Sequence, residues 1–288
     1  MKIGGIVPLG VGNGQPEFLE ALGPGLERRG FESLWIPEHV VLFDEHEKST
    51  YPYTPDGKIP LPADSGVMDP FPALSFVAAG TGELRLGTGI CIAAQRNPLY
   101  TARYVADLDI LSGGRAEFGV GLGWLREEYE ALGVPWEGRG SRTDEYLQVM
   151  HSLWTDDVSS YDGELYKLPP CRAYPKPVQR PHPPVHIGGD SDAALSRVAR
   201  HGQGWFGMGQ TPDVLPERLE RLEAALEREG RTRTDVEVSI SPPPGSCDAE
   251  MARGFEELGV DRLIIVLFAP SLDALDHVLD QAAGELIS

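Results

Sequence analysis

The 288-residue chain has only three cysteines, Cys91, Cys171 and Cys247, and none stands in C-x-x-C spacing. That leaves no disulfide framework and no zinc signature, and it fits a reducing compartment. Basic residues are also scarce: 25 Lys and Arg against 44 Asp and Glu give a formal net charge of -19. Nucleic acid and anionic membrane both need a basic face, so neither is expected as a partner, whereas a small-molecule substrate is. An anionic cofactor stays open, because backbone amides and a few placed arginines bind phosphate even inside an acidic protein. No apolar run approaches the roughly 18 to 20 residues of a membrane span. Residues 1–8 carry a short apolar run broken by Gly and Pro, unlike the apolar core of a signal peptide, so the expected location is the cytoplasm. There is no G-x-S-x-G turn of a serine hydrolase, and no G-x-G-x-x-G turn after the first strand-like run.

What is present is a repeated alternation. Eight short runs rich in Val, Ile, Leu and Phe fall at residues 3–7, 33–37, 85–92, 116–120, 185–188, 204–208, 236–241 and 262–268. Each is followed by a helical pattern, as in buried parallel strands joined by crossover helices. Phe18, Leu22 and Leu26 mark the inner face of the first helix, and Leu215, Leu219, Leu222 and Leu226 that of a later one. Leu272, Leu275, Leu279, Ala282 and Leu286 mark the last, and Gly30, Gly133, Gly230 and Gly259 fall where helix C-caps belong. Eight strands with eight helices predict an α/β fold, a (β/α)8 TIM barrel, as a single domain over residues 1–288, since roughly 200 to 250 residues is ordinary for one barrel. A six-stranded doubly wound sheet would leave two runs unused.

Two segments are longer than ordinary connections. Residues 40–68 leave the second strand and carry Tyr51, Pro52, Tyr53, Pro55, Pro60 and Pro62. In a barrel they leave the catalytic rim, and a substrate lid is expected there. Residues 156–184, also Pro-rich, enter the fifth strand, and their expected place is the opposite end of the barrel or a partner surface.

Candidate chemistry sits at the strand ends. Glu38-His39 closes the second strand, where a histidine either works on a ligand or is held structurally, with Glu38 orienting it or pairing with a cation. Gly119-Val120-Gly121-Leu122-Gly123-Trp124 is a Gly-rich exit, able to admit a flat ligand or merely to turn. Gly188-Gly189-Asp190-Ser191 enters a helix, and such a turn binds phosphate or serves as a plain N-cap. His182, His186 and Asp190 lie close in sequence, but strand alternation and an intervening Pro-rich loop oppose convergent ligation, so no metal is expected.

Taken in order, several strings resemble the bacterial luciferase-like monooxygenase superfamily, and within it a group of deazaflavin (coenzyme F420) dependent oxidoreductases. They are Gly30-Phe31-Glu32-Ser33-Leu34-Trp35 with Glu38-His39, Arg85-Leu86-Gly87-Thr88-Gly89, Arg96-Asn97-Pro98, Leu111-Ser112-Gly113-Gly114-Arg115, Gly123-Trp124-Leu125-Arg126-Glu127-Glu128 and Gly188-Gly189 with Ser191. The resemblance runs nearly end to end. It implies a dimeric TIM barrel whose cofactor, F420 or alternatively FMN, lies across the C-terminal strand ends. His39 then falls beside the cofactor ring, and Gly89-Ile90 where a cis peptide backs it. Leu122, Gly123 and Glu127 fall along the ribityl chain, and Gly188, Gly189, Asp190 and Ser191 at the phosphate. The catalytic glutamate of deazaflavin sugar-phosphate dehydrogenases is replaced here by Trp124, which excludes that substrate class and puts Trp124 at the reacting face. The implied reaction is hydride transfer between reduced F420 and an unsaturated or carbonyl-containing small molecule. Oxygenation with reduced FMN is the second reading, and non-catalytic binding of a flavin or deazaflavin the third.

Overall fold

A computed structural model of the chain describes all residues except 55, 60, 62–65 and 288. Eleven strands run in the order β1 (Lys2–Ile6), β2 (Ser33–Ile36), β3 (Arg85–Thr88), β4 (Cys91–Ile92), β5 (Ala116–Gly121), β6 (Ser159–Asp162), β7 (Lys167–Cys171), β8 (Val185–Gly188), β9 (Gly204–Met208), β10 (Glu237–Ser241) and β11 (Arg262–Val266). The helices between them are α1 (Pro16–Arg28), α2 (Pro70–Ala78), α3 (Pro98–Leu111), α4 (Arg126–Ala131), α5 (Arg139–Thr155), α6 (Asp192–His201), α7 (Leu215–Arg228), α8 (Ala249–Glu257) and α9 (Leu272–Leu286). The parallel pairings β3-β2-β1-β11-β10-β9-β8-β5 close through β3 on β5 into the expected eight-stranded barrel.

The third expected strand, 85–92, is one element in sequence and two in space. The cis peptide Gly89-Ile90 interrupts it. Before the break β3 pairs with β2, and after it β4 pairs only with β5, Cys91 opposite Val120. The other seven strands lie where the apolar runs put them, within one or two residues at each end.

Alternation along the strands fills the barrel in layers. Trp35, fully buried, occupies the middle with Ile6, Phe206 and Ile264. Gly87 makes that possible, because a Cβ there would lie 2.3 Å from the indole. Below, at the N-terminal end, the interior is charged: buried Glu117 accepts from His186 at 2.5 Å and pairs with Arg85 and with Arg262, whose guanidinium also donates to Glu32 at 2.8 and 3.0 Å. Above Trp35 the barrel opens.

The segment 156–184 contains an antiparallel hairpin, β6 on β7, which its Pro-rich sequence does not signal. Its Pro169 and Pro170 oppose a central strand but are tolerated in a two-stranded ribbon with free edges. The chain then passes under the barrel. The Val178 and Gln179 amides donate to Asp109 at 2.7 and 2.9 Å, and the Gln179 side-chain amide donates to the Ala116 carbonyl at 2.8 Å, so this segment covers the end opposite the rim. The described residues of the segment 40–68 cross the rim without helix or strand. Pro55, Pro60 and Pro62 of that segment lie outside the described residues. No described helix is long and apolar enough to cross a membrane.

Candidate functional site

A cavity of about 550 Å³ opens at the C-terminal rim under residues 40–68. His39, Gly89, Ile90, Leu122, Gly123, Trp124, Gly188, Gly189, Asp190 and Ser191 all line it, so the barrel brings together ten of the eleven residues singled out above. Glu127 is not among them. Its carboxylate accepts from the Lys48 amide at 2.8 Å and the Ser49 hydroxyl at 2.6 Å, which fastens the lid to the first turn of α4. One residue along a helix is a rotation of about 100°, and that rotation turns Glu128 inward in its place.

Glu128 is fully buried. It accepts from the Val40 and Val41 amides at 2.6 and 3.3 Å and from Gln95 at 3.0 Å, and lies 3.3 Å from His39 Nδ1. Burial works to raise its pKa, but the bonds from His39, Gln95 and Val40 outweigh burial and hold it below the ordinary glutamate value. On the other side of the imidazole the Trp124 indole N–H donates to Nε2 at 3.3 Å. An indole can only donate, so Nε2 is the acceptor and the proton of neutral His39 sits on Nδ1, facing Glu128. Glu38 does not orient the imidazole. It accepts from the Ile92 amide at 2.7 Å and pairs with Arg96, the cation of the second alternative.

The lid packs on this arrangement. Tyr51 and His46 each meet the Trp124 ring edge-to-face at 5.1 Å between centroids, and Tyr51 meets Tyr53 at 5.4 Å. Such pairs add directional attraction to area burial. Tyr53 reaches across to Gly209 at the end of β9, where a Cβ would lie 3.0 Å from its ring, and burial pushes its pKa up to about 12.

At the far end of the cavity Gly189 takes φ +104, which favours glycine, and Ser191 caps α6 by accepting from Ala194 at 3.2 Å. The Gly189 amide leans on the Phe206 carbonyl at 3.3 Å, and its own carbonyl accepts from Trp205 at 2.7 Å. The amides of Asp190 and Ser191 donate to no group among the described residues. The donor pair is therefore one residue further along than the two glycines. Asp190 faces Arg218 on α7 at 3.5 Å. Arg139, at the start of α5, lies flat on Trp136 with its guanidinium carbon 3.6 Å from the ring centroid, and both residues line the cavity. Its Nε is buried and has no hydrogen-bond partner. Arg197 of α6 donates to the Gly140 carbonyl at 3.2 Å, which pins the first turn of α5 against the helix whose N-terminus is this turn.

Glu128 and Arg139 escaped the sequence reading. Glu128 stands in a pair of glutamates next to a Gly-rich exit, and that was its only signal. Arg139 has none, since only the packing of α5 on α6 brings it to the cavity. His182 and His186 are elsewhere: His182 packs beside His151 and Trp154, and His186 bonds Glu117 in the floor. Among the described residues no three His, Cys, Asp or Glu side chains are grouped to hold a metal.

A family model described as luciferase-like monooxygenase matches residues 1–265. The chain belongs to the luciferase-like monooxygenase family. An uncharacterized family relative from Mycobacterium tuberculosis is 32% identical over 263 residues, covering 90% of each chain. Among solved structures, the monooxygenase RslO1 from Streptomyces bottropensis superposes with a TM-score of 0.80 at 20% identity, over 100% of this chain and 99% of its own. An F420-dependent secondary alcohol dehydrogenase in complex with an F420-acetone adduct gives 0.77 at 17% identity, over 99% and 97%. These two likenesses show that the fold is shared.

Proposed function

We propose that this protein is a cytoplasmic oxidoreductase, a dimer of two such barrels, that binds coenzyme F420 in the rim cavity and transfers hydride between it and an unsaturated or carbonyl-containing small molecule. The carrying observation is the pairing of two unlike ends in one cavity: an imidazole of fixed tautomer at His39, and, among the described residues, free amides at Asp190 and Ser191 beside an Arg139 whose buried Nε has no hydrogen-bond partner.

The residues present fit a tricyclic ring joined to a phosphate. Gly123, Gly188 and Gly189 leave the cavity wall without side chains; a Cβ on Gly123 or Gly188 would come within 3.1 Å of Ile92 or Ile90. Arg139 and the Asp190 and Ser191 amides would hold the phosphate, since a buried cation and N–H groups at a helix start are its natural partners. Leu122, Gly123, Ile90 and His39 would hold the ring. When bound, the deazaflavin supplies a two-electron hydride donor or acceptor, and the protein supplies position and electrostatics.

His39 then manages the proton that accompanies the hydride. With Nδ1–H directed at Glu128, the only position at which the ring can take up a proton is Nε2, on the cavity side, and the buried carboxylate stabilises the imidazolium that results. Trp124 gives up its bond to Nε2 at that moment, leaving its N–H free for an oxygen on the substrate. The lid excludes water from this exchange.

The choice of F420 is supported by the order of His39, Gly89-Ile90, Leu122-Gly123 and Gly188–Ser191 along the chain, which resembles that of deazaflavin enzymes. The family description favours the second reading, oxygenation with reduced FMN, because the same donors accept either ligand. Titration of the purified apoprotein with each cofactor separates them. Tight deazaflavin binding with little oxygen uptake is expected; tight FMN binding without deazaflavin binding contradicts the first reading.

A further inference from the structure

Among the described residues the charged groups of the cavity are confined to one half of its wall. Glu38, Arg139 and Asp190, together with His39, all come from the arc that runs β2, β3, β5, β8. Glu38 and Asp190 are already paired, with Arg96 and Arg218, so among the described residues Arg139 is the one charge left to a ligand on that arc. The other arc, formed by the ends of β9, β10, β11 and β1, presents Met208, Pro242, Pro244, Val266, Phe268 and Pro8. Above it the described lid residues that line the cavity add Ile59, Leu61 and Val67, and their polar side chains are the hydroxyls of Thr50, Tyr51 and Tyr53. Burial raises the pKa of both phenols, so they stay neutral donors at physiological pH.

We infer that the substrate of this site is an uncharged, largely apolar molecule whose reacting group is met by His39 and by neutral hydroxyl or indole donors, and that carboxylated, sulfonated or phosphorylated substrates are rejected. The inference rests on the reading of the β2–β8 arc as the cofactor's. A carboxylate moved onto the β9–β1 arc leaves water and finds no cation, and an uncompensated buried charge is among the most unfavourable arrangements a site can hold. The single free cation among the described residues that line the cavity, Arg139, belongs to the cofactor's arc, and the bound phosphate takes it. An apolar chain or ring on the same surface releases water from Met208, Val266 and Phe268 and loses nothing. Discrimination of this kind comes from what the wall lacks, which is the most economical way to reject a charged analogue.

The experiment uses cofactor-loaded protein and a matched pair of probes, octan-2-one and 7-oxooctanoate, titrated by calorimetry. They differ only in the terminal methyl or carboxylate. The neutral ketone is expected to bind about tenfold or more tightly than the acid, a difference of about 1.4 kcal/mol. Phe268→Arg, a change at a half-exposed wall position, is expected to shift that preference about tenfold toward the acid. Equal or tighter binding of the acid to the unaltered protein, or binding of neither probe to loaded protein, overturns the substrate class and leaves the cofactor reading standing. A protein that takes up neither deazaflavin nor FMN fails at loading, before any ketone is added, and overturns both.

Discussion

The two ends of the barrel use similar side chains in opposite ways. In the floor, Glu117, His186, Arg85, Arg262 and Glu32 are arranged around one another, and each ionised group has a partner inside the protein. At the rim, among the described residues, Arg139 keeps a buried Nε with no hydrogen-bond partner and the Asp190 and Ser191 amides donate to no group, while His39 is held by a long bond on each side. The lesson is that burial of a charge does not by itself mark a functional group. In the floor the charges answer one another, with His186 Nδ1 the only buried side-chain polar atom of those five residues lacking a hydrogen-bond partner among the described residues, and so it reads as structural, whereas the rim leaves Arg139 and two amides open and reads as addressed to a ligand.

The comparison breaks first where the floor is cut. Arg262→Met removes one partner of a buried network and is expected to destabilise the fold by about 3 to 5 kcal/mol, seen as a large fall in the urea midpoint. A change of under about 1 kcal/mol would mean that the floor is not a coupled network. The pH dependence follows from Glu117. Burial acts to raise its pKa, but His186, Arg262 and Arg85 hold it down at about 2 against an ordinary 4.5. Its folded-state pKa is depressed, so the stability it contributes is present above about 4.5 and is lost as pH falls through about 2. Unfolding midpoints measured across that interval should fall steeply, and less steeply in Glu117→Gln.

At the rim the effects should fall on function and leave stability nearly unchanged. His39→Ala is expected to lower turnover about 100-fold while changing cofactor affinity far less, which single-turnover kinetics separates from binding. Glu128→Gln should give a smaller loss and, because it removes the charge behind Nδ1, move the acid limb of the rate profile; an unmoved profile contradicts the proton role. Arg139→Met keeps the packing on Trp136 without the charge, and should weaken cofactor binding about tenfold to 100-fold. Its affinity for a phosphate-free analogue such as riboflavin should not change. Tyr53→Phe, the mildest, should alter substrate KM by only a few-fold, with cofactor affinity intact.

Much of this was legible in the sequence because barrels tie function to position. Apolar runs of strand length named the eight strands, and residues just past their ends, His39, Trp124 and Gly189, therefore stood at the rim. What could not be read depends on rotation and register. Glu127 and Glu128 are equivalent as letters, and the phase of α4 sends one to the lid and the other to His39. Arg139 reaches the cavity through a contact between α5 and α6 that no local pattern encodes. The floor needed the pairing of β3, β5, β8 and β11 before Arg85, Glu117, His186 and Arg262 could be seen as one cluster. The apolar pattern over 85–92 predicts one continuous strand, because the break between β3 and β4 leaves that pattern unchanged.

The central claim, that the open end of the barrel is a site for a phosphate-bearing deazaflavin or flavin, is tested most directly by titrating apoprotein and Arg139→Met with F420, FMN and riboflavin in parallel. The account predicts tight binding of F420 to the unaltered protein, clear loss of that affinity in Arg139→Met, and riboflavin binding that is weak and equal in both. Riboflavin bound as tightly as the phosphorylated ligands, or F420 and FMN bound equally well by both proteins, would contradict it.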